Sequence, residues 1–256
     1  MIVSLKNKIA IVTGAASGIG LAIVEQFLDS EASGVIAVDI SPSLDDALAP
    51  CKNQYGARLQ SVHGDVSQES AAIAFTRAAL DHFGRIDILV NNAGTHCTKA
   101  LHEHTPDEWD RVMNINAKSV YWAARHVIPV MVKNGGGVIL NTGSISGVIG
   151  IPGQGAYAPS KGALHQLTRQ MAIEYAPHRI RVNAVGCGTV DTPLVHNAAK
   201  DSGDPAKFWT MLRDNHPIGR IATPDEIASF FTYLASDHAS FFTGAILMLD
   251  GGYSAK

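Results

Sequence analysis

Tyr157 and Lys161 stand four residues apart in Tyr157-Ala158-Pro159-Ser160-Lys161, at the start of a helical pattern that reaches about Tyr175. That spacing puts both side chains on one helical face, where an ammonium beside a phenol favours the ionised phenol. A free phenol titrates near pH ~10 and is too weak a base at neutral pH. With a cation alongside it becomes a candidate general acid/base, a role typically worth about 10²- to 10⁴-fold in rate. Taken alone, the pair is also what an ordinary exposed helix face carries.

A second constellation lies near the N-terminus. Thr13-Gly14-Ala15-Ala16-Ser17-Gly18-Ile19-Gly20 follows an apolar run and opens a helical pattern. Its glycines let backbone approach a pyrophosphate at a helix N-terminus, with Gly14, Ser17, Gly18, Ile19 and Gly20 as candidate contacts. A purely structural turn would read the same way. Asp39 ends the next apolar run, 19 residues after Gly20, where a carboxylate can bond an adenosine ribose hydroxyl and repel a 2′-phosphate. No Arg or Lys lies in 15–17 and Ile40 follows the Asp, so the spacing predicts NAD rather than NADP. As a plain strand-end cap, Asp39 would be unremarkable. Asn91-Asn92-Ala93-Gly94 closes a later apolar run. There small residues and amides can lie along a flat ligand, or simply tie neighbouring strands together.

These groups need elements to hold them. Seven short β-rich runs, at 9–13, 35–39, 58–62, 86–91, 137–142, 180–185 and 245–249, alternate with longer helical patterns. Several runs are continuously apolar, as in a parallel sheet covered on both faces. The expected fold is α/β: a doubly wound, Rossmann-like, seven-stranded parallel sheet with helices on both faces, in one domain over 1–256. Thr105-Pro106-Asp107-Glu108 and Thr223-Pro224-Asp225-Glu226 each read as a helix start with a capping box. The segment 186–217 is not assignable beyond a short helix containing Phe208, Trp209 and Met211, and 188–217 is expected to form a substrate-binding lid.

Composition narrows the function. The 256 residues are 46% hydrophobic and 17% charged, with a net charge of -3, which excludes disorder and the basic field that nucleic-acid binding requires. Three scattered cysteines, Cys51, Cys97 and Cys187, make neither a disulfide framework nor a zinc motif. Cysteine usage, and an N-terminus that does not read as a secretory signal, suit a cytoplasmic protein without a membrane span. His102-Glu103-His104 suggests metal binding but is expected to be solvated loop, and no metal site is expected.

The glycine loop, Asn-Asn-Ala-Gly, a Ser after the fifth strand and Tyr-x-x-x-Lys occur in the order and at the separations of the short-chain dehydrogenase/reductase family, which the whole chain resembles. The resemblance implies that Ser144, 13 residues before Tyr157, bonds the substrate oxygen, that Tyr157 transfers the proton, and that Lys161 binds the nicotinamide ribose and tunes Tyr157. It implies that Asn116, rather than its neighbour Asn114, holds a water of the proton relay. Asp65 and Val66 would contact adenine, Asn92, Ala93 and Gly94 would line the cofactor, and Gly188, Val190 and Thr192 would face the carboxamide. Cys187 departs from the family, standing where proline is common. It reads as a small packed residue rather than a nucleophile, with a less rigid backbone there. Homo-oligomers, dimers or tetramers, are also implied, and apolar 120–123 suits either an interface or internal packing.

The residues after Gly94, His96 and Cys97, fall where the family places substrate-pocket positions; Ser146, Gln154, His196, Trp209 and Arg213 are further lining candidates. No Lys, Arg, Asp or Glu lies between Ser144 and Tyr157, so a bound carboxylate would lack a counter-charge there, although Lys207 or Arg213 of the lid could supply one. The expected reaction is hydride transfer between NAD and a neutral secondary alcohol, such as a sugar, polyol or cyclic alcohol. One alternative is an NADPH-dependent 3-oxoacyl thioester reductase. Another is an NAD-binding sensor or structural subunit, against which the intact Asn116, Ser144, Tyr157 and Lys161 argue.

Overall fold

The computed structural model describes residues 3–255; residues 1, 2 and 256, the ends of the expected 1–256 unit, lie outside the described residues. Among the described residues seven strands form one parallel sheet: β1 (Ile9–Thr13), β2 (Gly34–Asp39), β3 (Leu59–His63), β4 (Ile88–Asn91), β5 (Gly137–Thr142), β6 (Ile180–Cys187) and β7 (Ile246–Leu249). Their order across the sheet is β3-β2-β1-β4-β5-β6-β7. The order reverses between β1 and β4, so their carboxyl ends diverge into a crevice where doubly wound sheets bind ligands.

The continuous apolar runs are explained by burial on both faces. Along β1, Ala10 and Val12 point into one core, with Phe27 of α1 (Gly18–Asp29), Leu48 of α2 (Leu44–Tyr55) and Phe231 of the C-terminal helix Pro224–Ala235. Ile11 points into the other, with Phe75 of α3 (Glu69–Phe83) and, beyond α4 (Pro106–Met113), Val127 of α5 (Ser119–Lys133) and Leu164 of α6 (Tyr157–Tyr175). Both expected capping boxes are present. Thr105 Oγ1 accepts from Glu108 N at 3.2 Å while Glu108 Oε2 accepts from Thr105 N at 3.0 Å, and Thr223 and Glu226 repeat the exchange at 3.3 and 2.9 Å.

The segment expected to hold one short helix holds two, α7 (Pro193–Asp201) and α8 (Pro205–Asp214), before α9 (Pro224–Ala235). Thr192-Pro193 and Asp204-Pro205 are start signals of the kind read at Thr105 and Thr223, and Asp204 Oδ1 caps α8 by accepting from Lys207 N at 3.1 Å. Among the described residues no helix is long and apolar enough to cross a membrane.

Candidate active site

The loop after β1 and the loop after β4 face each other across the crevice. Gly14 has φ +68°, and a Cβ there would lie 2.8 Å from Ala93 Cα; at Gly20 it would lie 1.9 Å from the Gly14 carbonyl oxygen. Only glycine fits this tight approach. Asp39, at the end of β2, reaches into the same loop, where its Oδ2 accepts from Ala16 N at 2.9 Å. A cavity of about 420 Å³ runs from Gly14 and Asp39 past Asp65 and Val66 to Ala93 and Gly94. This cradle fits the adenosine and pyrophosphate portion of a dinucleotide, with the α1 N-terminus presented to the phosphates. Thr192, past the exit of β6, lies against the glycine loop, since a Cβ on Gly18 would meet Thr192 Cγ2 at 3.0 Å. Gly188 and Val190 lie on that exit, where Gly188 N donates to Leu249 O (3.1 Å) and Val190 O accepts from Thr192 Oγ1 (3.3 Å). A second cavity, of about 500 Å³ and lined by Asp87, Gly137 and Arg179 among others, lies at the amino ends of the strands, away from this chemistry.

The amides after β4 serve largely as ties. Asn91 Nδ2 donates to Asn141 Oδ1 (2.8 Å), whose Nδ2 donates to Thr168 Oγ1 (2.8 Å) on α6. Asn92 Nδ2 donates to the Thr13 and Gly14 carbonyls at 3.0 and 3.2 Å, and its Oδ1 accepts from Thr142 Oγ1 at 3.1 Å. One side chain therefore binds three strand exits together.

Tyr157 opens α6, and Lys161 follows one turn later with Nζ 5.6 Å from the Tyr157 ring centroid. Lys161 is buried, and its ammonium donates to the Thr142 carbonyl at 2.7 Å. Ser144, just past β5, hydrogen-bonds the Tyr157 phenol, and its Oγ accepts from Ser146 N at 3.1 Å. Asn116 sits in a π-helical turn, Asn114–Lys118, between α4 and α5. Its Nδ2 donates to Thr95 O and Ser160 Oγ, both at 2.9 Å, and its Oδ1 accepts from Thr95 N at 2.8 Å. Asn114 instead lines the dinucleotide cavity. So the four residues expected to carry chemistry meet at the carboxyl edge of β4 and β5, drawn from two helical segments, the π-helical turn and α6, and one strand exit.

The sequence profile of a family described as enoyl-(acyl carrier protein) reductase matches residues 14–254. The chain is a short-chain dehydrogenase/reductase. It is 40% identical over 250 residues, 97% of each chain, to cis-4-hydroxycyclohexanecarboxylate dehydrogenase of Sinomonas cyclohexanicum. L-Sorbose reductase from Gluconobacter frateurii, whose crystal structure is complexed with NADPH and L-sorbose, superposes with a TM-score of 0.94 at 32% identity over 100% of both chains. The 3-ketoacyl-(acyl-carrier-protein) reductase of Brucella melitensis, complexed with NADH, has a TM-score of 0.89 at 34% identity, covering 98% of this chain and 100% of that one. The protein is accordingly an oxidoreductase of alcohols and ketones on a fold that binds a nicotinamide cofactor.

In this short-chain dehydrogenase/reductase, burial dominates the electrostatics of the tyrosine–lysine pair. Burial pushes the Tyr157 phenol up to about 12, opposed by the hydrogen bond from Ser144. Burial thus acts against the easing of the phenol's ionisation expected from Lys161. The lysine is itself pushed down to about 8 by burial, because desolvation penalises either charge. Cys187 stays within β6 with Sγ directed at Val185 O (3.7 Å), and burial pushes its thiol up to about 12. That is a packed, protonated group, not a nucleophile.

Of the substrate candidates, His96 packs its ring edge-on against Tyr157, with centroids 4.9 Å apart, and Ser146 adjoins Ser144. Gln154, three residues before Tyr157, has a buried Oε1 without a partner. His196, Trp209 and Arg213 lie on α7 and α8. There Trp209 packs on His196 (5.0 Å between centroids) and Phe208, His196 Nε2 meets Asp191 Oδ1 at 2.6 Å, and Arg213 donates to Thr210 of its own helix. The segment carrying α7 and α8 is anchored by His216, which the sequence did not single out. It donates from Nδ1 to Leu212 O (2.6 Å) and accepts at Nε2 from Thr189 N (3.1 Å).

Arg111 was also missed. It lines the dinucleotide cavity from α4 and donates to Thr95 Oγ1 at 3.0 Å, so the cavity does contain a cation. Local sequence around Asp39 carries no sign of it. His102 and Glu103 are exposed as expected, but His104 is half-buried, with Nε2 accepting from Ala156 N at 3.2 Å.

Proposed function

We propose that the protein oxidises a secondary alcohol with NAD, using Tyr157 as general base and Ser144 and Lys161 as its partners. The NAD assignment rests on Asp39, whose carboxylate is held at the glycine loop by Ala16 N. A negative charge there repels a 2′-phosphate, and Arg111, the cation of the cavity, is engaged with Thr95. When bound, the cofactor supplies the hydride acceptor.

The chain's own residues handle the proton. Ser144 bonds the substrate oxygen, Tyr157 takes the hydroxyl proton, and the Lys161 ammonium, buried beside the ring, favours the phenolate while that proton is in transit. Asn116 positions the Thr95 loop and α6 through Ser160 and supports a water relay behind Lys161.

For the substrate we favour a cyclic alcohol or sugar. The segment from Ser144 to Tyr157 is uncharged, and the names of the Sinomonas and Gluconobacter relatives specify a hydroxylated ring and a sugar. The Sinomonas substrate also carries a carboxylate, for which Lys207 or Arg213 of the lid would be the counter-charge here, since burial favours the neutral form of His96 beside Tyr157. Reduction of a 3-oxoacyl thioester is the second reading, favoured by the Brucella likeness and its bound NADH. A homo-oligomer belongs to the same proposal. Val120 and Ala123 are consumed by the core, whereas Tyr121 of α5 remains 45% exposed. The deciving test for the whole reading is nicotinamide absorbance at alkaline pH with NAD and, separately, NADP, over sugars, cyclic alcohols, hydroxy acids and 3-hydroxyacyl thioesters. Turnover with NAD on rings or sugars supports it. Turnover confined to NADP, or to thioesters, overturns it.

A further inference from the structure

Three side chains of metal-ligating type converge outside the catalytic group. Cys97 lies in the loop after β4, His104 directly before the Thr105 cap, and Glu108 in the first turn of α4. Their Sγ, a ring nitrogen and a carboxylate oxygen lie within 4.8 Å of one another. Ligands around a tetrahedral zinc ion sit about 3.3–3.7 Å apart, so closure asks each to move by about 1 Å or less. The donor set of thiolate, imidazole and carboxylate suits Zn²⁺ or Co²⁺ over the hard cations Mg²⁺ and Ca²⁺. Three protein ligands would leave one position to water.

The present partners favour that closure. His104 Nδ1 is buried without a hydrogen-bond partner, the less common state for a buried ring nitrogen. Glu108 Oε1 is held by Lys99 Nζ at 2.6 Å, so one carboxylate oxygen already faces a cation. Its Oε2 stays with Thr105 N, so ligation through Oε1 exchanges one cation for another and leaves the helix cap intact.

We propose that Cys97, His104 and Glu108 form a binding site for Zn²⁺, and that its occupation slows turnover by displacing both neighbours of Tyr157. On binding, the Cys97 thiol gives its proton to water, a Zn–S bond forms, and Lys99 leaves Glu108. Ligation through His104 Nδ1 puts the ring proton on Nε2, which can then no longer accept from Ala156 N. Ala156 directly precedes Tyr157. On the other side Cys97 directly follows His96, whose ring packs against Tyr157. The slowing rests on the role given to Tyr157 above; the binding does not.

Co²⁺ titrated into the intact protein tests the binding. One equivalent is expected to develop a thiolate-to-cobalt charge-transfer band together with four-coordinate ligand-field bands, and Zn²⁺ should bleach both. Cys97→Ser should abolish the thiolate band, His104→Gln should weaken affinity about tenfold or more, and Cys51→Ser should change nothing. Absence of the band, or its survival in Cys97→Ser, overturns the site. Surface pairs such as His63 with Asp45 would bind Co²⁺ without a thiolate band. A measurement without variants is the alkylation of Cys97 in the native protein, read by mass spectrometry. Saturating Zn²⁺ should slow it at least tenfold, and an unchanged rate overturns the site. For the coupling, Zn²⁺ should lower wild-type turnover while each variant, compared with its own metal-free rate, becomes insensitive. A thiolate band with undiminished wild-type turnover overturns the coupling and leaves the site standing.

Discussion

Asp39 Oδ2 accepts the backbone N–H of Ala16 at 2.9 Å, and its Oδ1 accepts that of Ser41, also at 2.9 Å. The carboxylate is thus both a backbone clamp and a charge lining the cavity proposed to hold the dinucleotide. A carboxylate offers about four acceptor positions, so two remain for ribose hydroxyls. Asp39→Asn keeps one acceptor and removes the charge, whereas Asp39→Ala removes both functions. The ratio of kcat/KM for NAD over NADP should fall by about tenfold or more in both variants, with Asp39→Ala also raising the KM for NAD. If either variant retains the wild-type ratio, the charge does not set cofactor choice.

Tyr157→Phe keeps the ring and its packing against His96 but removes the proton carrier. Turnover is expected to drop by about 10²- to 10⁴-fold, with NADH binding, followed by fluorescence, retained. Near wild-type turnover with NADH bound would refute the role.

The phenol's environment also sets the direction of a pH effect. Burial pushes Tyr157 up and the Ser144 hydrogen bond opposes that. Oxidation, which needs the phenolate, should therefore rise from neutral to alkaline pH. Ser144→Ala should move that rise to higher pH as well as lower its plateau, and an unmoved limb would mean that Ser144 does not act on the phenol. The comparison requires kcat profiles of both proteins at saturating substrate.

Lys161 is held down at about 8 against an ordinary 10.5. Between those values the unfolded chain binds the proton that the folded chain has released, so folding stability gains as pH rises through this window. Below it the full penalty of a buried ammonium is present, on the order of 3 kcal/mol. In Lys161→Met that pH dependence should vanish. Urea unfolding of the two proteins from pH 7.5 to 10.5 should show the wild type gaining on the variant; parallel curves would contradict the buried charge.

His165 lies one turn beyond Lys161 with its imidazole between Gly143 and Gly147, where a Cβ would come within 2.5 and 2.4 Å of the ring. Burial and Lys161 push it down to about 4 from 6.5. Within that window the unfolded state holds more protons, so stability falls as pH falls, by at most about 3 kcal/mol. His165→Leu should flatten the acid limb of a stability profile measured between pH 4 and 7. A limb as steep as in wild type would place the acid sensitivity elsewhere.

Much of the fold was legible because its signals are local. Continuous apolar runs such as Ile9–Thr13 report burial on both faces, and Thr-Pro-x-Glu reports a helix start, since the partners lie within one turn. The same local logic was available at Thr192-Pro193 and Asp204-Pro205 and would have found α7 and α8. In the site, the glycine loop, Asp39 and the Tyr157–Lys161 pair stood out from residue type and spacing along the chain, whereas Ser144 and Asn116 came from the family resemblance.

What the chain alone determined, then, is which residues share an element and which chemistry those types permit. Tertiary structure decided which elements meet and how dry the meeting place is. Arg111 enters the dinucleotide cavity, and His104 meets Cys97 and Glu108, only because α4 packs beside the exit of β4. Spacing predicts an ammonium that eases a phenol's ionisation, but burial raises Tyr157 and lowers Lys161 together. Desolvation depends on everything packed around a charge, and no periodicity within a single element reports it.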